Sequence, residues 1–303
     1  MRAVRALSLW TFVGMGIVLI QGALVTQSES GRGCGDDWPL CHGKFLPAYT
    51  IESIIEYSHR FISGIVGLLV IACAVAVCVV VRSWYVRSFA LLTLFFTLLQ
   101  ALLGAMQVRN PQSDAILALH FGFALLAFTL SWIVFRAVRG KHVLAVRVAL
   151  PMRLYVALLT VYAYAVVYSG AYTSHTGAAG ACSRLLTCPE WGVVDLAAVL
   201  FGHRLAAVAL SVFIAVFVFL VLRYYRAHRS LVSLSWGSIG LIGAQLVSGL
   251  LLTAALGSDW YVFATLLHTA IVALLFAVLS MCTLIVWQRG VGEEGSVHAR
   301  AIG

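Results

Sequence analysis

The sequence predicts an all-α integral membrane protein with eight transmembrane helices, arranged as two tandem four-helix bundles. Three observations carry that expectation. Of 303 residues, 62% are hydrophobic and only 10% are charged, against the roughly 25% charged that a soluble domain carries. Eight continuous apolar runs each supply the ~20 residues that a ~30 Å hydrocarbon core requires. The last four runs repeat the first four in nearly one register. The composition excludes a soluble globule and a disordered chain. A net charge of +9 does not point to nucleic acid either, because the basic residues sit in short loops between apolar runs.

The runs fall at about 7–26, 52–81, 89–108, 115–138, 153–173, 195–222, 233–256 and 260–287. They are continuously apolar and lack the alternating segments of about ten residues that mark barrel strands. The first is too long, and too weakly charged in front, for a cleavable signal, and no small-x-small site follows it, so it is expected to stay as a helix. A basic link over 139–152 joins an N-terminal repeat, 1–138, to a C-terminal repeat, 153–287, and 288–303 forms a tail.

Lys and Arg set the expected orientation. With the N-terminus cytoplasmic, fourteen of the twenty lie in cytoplasmic segments and four (Arg32, Lys44, Arg109 and Arg184) in outer ones; Arg60 and Arg204 fall inside helices. Both termini are therefore expected inside. The link from Arg136 to Arg153 is accounted for by topology and anionic lipid. With no presequence evident, the expected location is a bacterial plasma membrane.

Cysteine placement fits that topology. Cys34 with Cys41, and Cys182 with Cys188, fall in the two long outer loops, where paired thiols are disulfide candidates. Cys73, Cys78 and Cys282 lie within helices and read as small apolar residues.

Four landmarks define the repeat. Gly22 precedes Cys34 by the same interval that separates Gly170 from Cys182. His59-Arg60 recurs as His203-Arg204, Gln100 and Gly104 as Gln245 and Gly249, and Leu119-His120 as Leu267-His268. The offsets are 148, 144, 145 and 148 residues. A parallel repeat with an even helix count implies two bundles related by an axis along the membrane normal.

Nine histidines occur, but only His59, His120, His203 and His268 combine membrane burial with the repeat. Each stands about two turns inside the outer end of its helix. Each half offers one from its second helix and one from its fourth, and two imidazoles facing across a bundle core can take both axial positions of a heme iron. A lone buried histidine is ordinarily a hydrogen-bonded core residue. Four in a two-fold pattern, inside a membrane where ionisable groups are costly, point to function instead. Zinc or copper fits poorly: two histidines per half are too few for a closed tetrahedral site, and no thiol lies at their depth. His42 beside Cys41 lacks the spacing of a zinc knuckle or of covalent heme attachment. Arg60 and Arg204 are candidates for binding heme propionates. Arg60 has a competing partner in Glu56, four residues earlier, whereas the same position before Arg204 holds Leu200. All four histidines lie toward the outer face, which disfavours electron conduction across the bilayer.

The halves differ most at Glu56, one turn before His59, where the second half has Leu200. A membrane-buried carboxylate needs an offsetting partner or a proton-transfer role. The pairing with Arg60 would supply the first; the reading preferred here is the second, with chemistry in the first half and electron transfer in the second. The first outer loop is also the richer, with Asp36, Asp37, Trp38 and Lys44 around its cysteines, against Arg184 and Glu190 in the second.

The run from Gly31 to Gly43 (GRGCGDDWPLCHG), followed by Glu56 to Arg60 (EYSHR), resembles the first outer loop and second helix of heme A synthases. The resemblance is to the Gram-positive type, with cysteine pairs in both long outer loops, and covers about 7–287. It implies an oxidoreductase that converts a methyl group of heme O to a formyl group by successive hydroxylations, through a gem-diol that loses water, giving heme A for terminal oxidases. It further implies heme b as cofactor between His203 and His268, substrate heme at His59 and His120, and Glu56 as the essential catalytic residue. Cys34–Cys41 match the family's disulfide, and Cys182–Cys188 its second pair at a spacing one residue shorter. Heme O synthase, terminal oxidase assembly and membrane lipid are the implied partners; nucleic acid is not among them.

An iron held by two histidines has no vacant position for oxygen. Either one histidine leaves during turnover, or electron removal precedes attack by water, with Glu56 as base. Two other functions compete. A diheme b-type carrier between quinol and an outer-face acceptor uses the histidines but gives Glu56 and the cysteine loops no task. A transporter would place its polar residues at the midplane on broken helices, whereas here they cluster at the outer side.

Overall fold

The computed structural model describes residues 1–45, 50–109, 113–139, 146–181 and 194–288, with backbone alone at 194 and 195. Its eight long helices are α1 (Arg2–Gln27), α2 (Ile51–Val80), α3 (Trp84–Arg109), α4 (Asp114–Val138), α5 (Leu150–His175), α6 (Val194–Tyr224), α7 (Arg229–Ala254) and α8 (Tyr261–Trp287). All eight contain a stretch long and apolar enough to cross a membrane. Several begin earlier than the hydropathy suggests: α1 at Arg2, α3 at Trp84 and α5 at Leu150. The first charge ends an apolar run, but backbone hydrogen bonding continues into the headgroup zone, where Arg side chains reach water. At α5 the early start also has a local cause. Pro151 stands in the first turn, where no N–H partner is required. The link between halves, expected over 139–152, therefore ends at Ala149.

The repeat extends into the backbone of the loops. A 3₁₀ turn, Ser30–Arg32, follows α1, and another, Ala178–Gly180, follows α5. Each is preceded by a residue in the left-handed region, Glu29 at φ 54° and Gly177 at φ 70°. Glycine takes that conformation freely, and a non-glycine residue only at a steric cost.

Helices α1–α4 pack as one bundle and α5–α8 as the other. At the seam α1 meets α8, α4 meets α5, and α4 meets α8. Exchanging the two halves maps this set of contacts onto itself, as a two-fold axis along the membrane normal requires. Helices α4 and α8 lie at this seam, and their apolar windows are 50% and 56% buried, against 22% for α3 and α7. The core is continuous across the seam, through Leu125, Phe128, Val156, Phe217, Leu275 and Leu279. Leu68, Val79, Leu158 and Phe219 face outward and exposed, as a lipid-solvated exterior allows.

Between apolar helices in lipid, association rests on close packing at small residues. Gly122 of α4 is such a point: a Cβ there would collide with the Tyr164 hydroxyl of α5. Gly122→Ala is expected to destabilise the seam by about 1–3 kcal/mol, the usual cost of overpacking, and to lower the midpoint of thermal unfolding in detergent.

Candidate functional site

The four repeated histidines sit near one end of the bundles, the end bearing the Cys34–Cys41 loop. From the start of its helix, each lies about 9–14 Å along the axis at 1.5 Å per residue. His59 stands within electrostatic reach of His120, and His268 within reach of His203. Each half thus brings its two imidazoles together across a bundle interior. Each ring also lies against a glycine of a neighbouring helix. A Cβ on Gly22 would meet Cε1 of His59 at 3.4 Å, and one on Gly104 would meet Cε1 of His120 at 3.4 Å. Gly249 bears the same relation to His268, at 3.4 Å, and Gly170 to His203 at 2.8 Å, the tightest of the four. At Gly170 a Cβ would force the His203 ring to shift, whereas at the other three it would only touch the ring, so these repeated glycines mark where each imidazole packs closely against a neighbouring helix.

The pairs differ in how they are held. In the second half, His203 Nδ1 is hydrogen-bonded to Ser169 Oγ at 2.9 Å and His268 Nδ1 to Ser248 Oγ at 2.8 Å. The Gln245 amide nitrogen lies 2.8 Å from His268 Nε2. In the first half, among the described residues, Nδ1 of His59 and Nδ1 of His120 are buried without a hydrogen-bond partner. A fifth histidine joins the first pair from the other bundle: His175, at the end of α5, stands within electrostatic reach of His120. It escaped the sequence reading because the repeat has Gln27 at the equivalent position.

Glu56 is buried, 3% exposed, and both oxygens are engaged. One forms an ion pair with Arg60, the other accepts from the Cys34 backbone N–H at 2.7 Å. The pairing with Arg60 that competed with a catalytic reading in the sequence is therefore formed. Arg60 reaches further, donating to the carbonyls of Asp37 at 2.6 Å and Leu40 at 2.9 Å. Two charged side chains of α2 thus hold the backbone of the first outer loop, which the Cys34–Cys41 disulfide closes. The loop's other anchor is Gly33. Its carbonyl accepts from Ser53 Oγ and contacts a ring nitrogen of His42 at 3.1 Å. A Cβ on Gly33 would overlap the backbone of Glu52 and Ser53. Backbone cannot yield as a side-chain end can, so Gly33→Ala is expected to lift the loop from α2 and break the Cys34–Glu56 bond. The cost should exceed about 3 kcal/mol, read as rapid proteolysis of the loop in an otherwise folded protein.

Arg204 is engaged in an interaction within the chain. Cys73, Cys78 and Cys282 are free thiols within helices. Cys182 and Cys188, with Arg184 and Glu190, lie outside the described residues.

The chain is similar to known proteins over almost its whole length. The COX15-CtaA family model, described as a cytochrome oxidase assembly protein, matches residues 48–280, a span holding Glu56 and all four repeated histidines. A heme A synthase of Shouchella clausii is 35% identical, covering 94% of this chain and 97% of its own. One of Bacillus pumilus is 37% identical over 94% and 95%, and one of Symbiobacterium thermophilum 38% over 92% and 94%. With both bundles inside the match and relatives alike nearly end to end, this chain belongs to the COX15-CtaA family of cytochrome oxidase assembly proteins.

Proposed function

We propose that this protein is a heme A synthase, an oxidoreductase that converts a methyl substituent of heme O to a formyl group. The observation that carries the reading is the pair of glycine-backed imidazoles within electrostatic reach of each other in each bundle, with, among the described residues, a buried carboxylate beside one pair only. The overall change, methyl plus water to formyl, releases four electrons and four protons, so the site must both accept electrons and move protons.

The division of labour follows the asymmetry. His59 and His120, in the repeat 1–138, would hold the iron of the substrate heme. His203 and His268, in the repeat 153–287, would hold heme b, which when bound supplies a one-electron redox centre. The donor set suits that cofactor, with two imidazoles per site, each packed against a glycine; at His268 the Gln245 amide against Nε2 would give way to the iron. Arg60 and Arg204 remain the cationic candidates near the propionates, although Arg60 already holds Glu56 and the loop.

Glu56 lies one helical turn from His59 and is fixed at both oxygens, so it would act as a base from a set position; a carboxylate oxygen keeps further lone pairs for an incoming water. Glu56 and Arg60 also hold the disulfide-closed loop against α2. Were His59 and His120 both to hold the substrate iron throughout, these residues would serve removal of electrons followed by attack of water, with Glu56 as base. The fourteen-to-four distribution of basic residues supports cytoplasmic termini and histidine pairs toward the outer face of a bacterial plasma membrane. Heme O synthase, as supplier of the substrate, and terminal oxidase assembly, as consumer of the product, are the expected partners.

The test is to express the chain beside a heme O synthase, extract the pigments and separate the hemes by chromatography. Heme A that appears only with the intact protein supports the reading; heme b alone, with heme O unconverted, would overturn it.

A further inference from the structure

The second pair of histidines is locked at Nδ1 and the first is not. Ser169 Oγ donates to the Val166 carbonyl at 2.8 Å, which leaves the oxygen lone pairs to face His203 Nδ1. Ser248 Oγ donates to the Gln245 carbonyl at 3.0 Å and faces His268 Nδ1 in the same way. With its hydrogen on the carbonyl, each hydroxyl is left to accept from Nδ1, an arrangement that satisfies all three groups and leaves Nε2 its lone pair. At His268 the Gln245 amide lies against Nε2 at 2.8 Å, and among the described residues Gln245 Oε1 is buried without a partner. The tautomer an iron ligand needs is therefore set before any iron arrives.

The repeat shows what the first half has instead. The register of Gly22 and Gly170 places Gln21 opposite Ser169, and that of Gly104 and Gly249 places Leu103 opposite Ser248. Leucine offers no acceptor. Among the described residues, Nδ1 of His59 and of His120 and Oε1 of Gln21 are all buried without hydrogen-bond partners.

We infer that Ser169 and Ser248 are positioning residues that lock the ligands of a resident heme, and that the first half omits this lock so that its heme can leave. The inference rests on the proposed reading of His203 and His268 as heme b ligands. A partner at the distal nitrogen orients a ligating imidazole and strengthens it as a donor, and losing such a partner typically weakens metal binding about 10–100-fold. A cofactor that stays gains from that lock. A product heme that must be released each turnover would be hindered by it.

The test uses the purified full-length protein with Ser169→Ala, Ser248→Ala and the corresponding threonine variants. Transfer of heme b to excess apomyoglobin should be about 10-fold faster in each alanine variant. The heme midpoint potential should rise, because a weaker donor stabilises ferric iron less. Threonine, which keeps the hydroxyl, should restore both. Leu103→Ser should act oppositely in the first half, slowing the release of bound heme. Alanine variants with unchanged transfer rate and potential would overturn the lock, as would loss of heme that threonine does not rescue. Failure of the underlying reading looks different: His203→Ala or His268→Ala would then retain heme b whatever the serines do.

Discussion

Replacing His268 with alanine is expected to remove heme b and abolish heme A formation while the eight helices stay assembled. The side chain contributes hydrogen bonds to Ser248 and Gln245 but is not part of the apolar core, which runs through Leu275, Leu279 and Ile285 further along α8. The fold should survive its loss; the iron would be left with one protein ligand. Heme content, read from the Soret band of the purified protein, should fall at least about 10-fold, since losing a direct ligand costs no less than losing its supporting partner. His203→Ala should behave alike. His120→Ala should not: heme b remains and conversion of heme O stops. That contrast tests the assignment of the halves, because two equivalent redox sites would respond symmetrically. Retention of heme b by His268→Ala, with helical circular dichroism unchanged, would end the assignment.

Much of this organisation is legible in the sequence, for a physical reason. A bilayer demands uninterrupted apolar runs, so the eight spans stand out, and polar residues inside them are few enough that a repeated histidine is conspicuous. The duplication supplies an internal comparison, which exposed Glu56 against Leu200. Ser169 stands against Gln21 and Ser248 against Leu103 in the same comparison, but these differences are inconspicuous, because serine within a helix carries no motif and commonly bonds its own backbone. The loop attachment was beyond reach. Arg60 binds the carbonyls of Asp37 and Leu40, and no side-chain pattern encodes which carbonyls a guanidinium will meet. Gly33 likewise reads as one of several turn glycines until its contact with the Glu52–Ser53 backbone is seen. His175 shows the opposite hazard, a residue beside the first pair hidden because it breaks the repeat.

Glu56→Gln is expected to lower conversion of heme O by about 10²–10⁴-fold, the usual contribution of a general base, while heme b stays bound. The ion pair with Arg60 makes this variant more informative than deletion of the side chain. Glutamine keeps a carbonyl oxygen to accept from the Cys34 N–H, so the loop should remain docked and resist protease. What it loses is basicity and the charge opposite Arg60. Glu56→Leu, which copies Leu200 of the second half, loses both functions and should free the loop as well. Comparing the two separates the tether from the base: a purely structural carboxylate predicts activity that follows loop protection, a base predicts activity lost in both. Full conversion by Glu56→Gln would remove the catalytic role and leave the tether. The water route has its own mark, ¹⁸O from labelled water in the hydroxymethyl intermediate, whose oxygen does not exchange with solvent. Label from molecular oxygen there instead would mean that one histidine leaves the substrate iron during turnover, and the unlocked Nδ1 atoms of His59 and His120 identify the half in which it can.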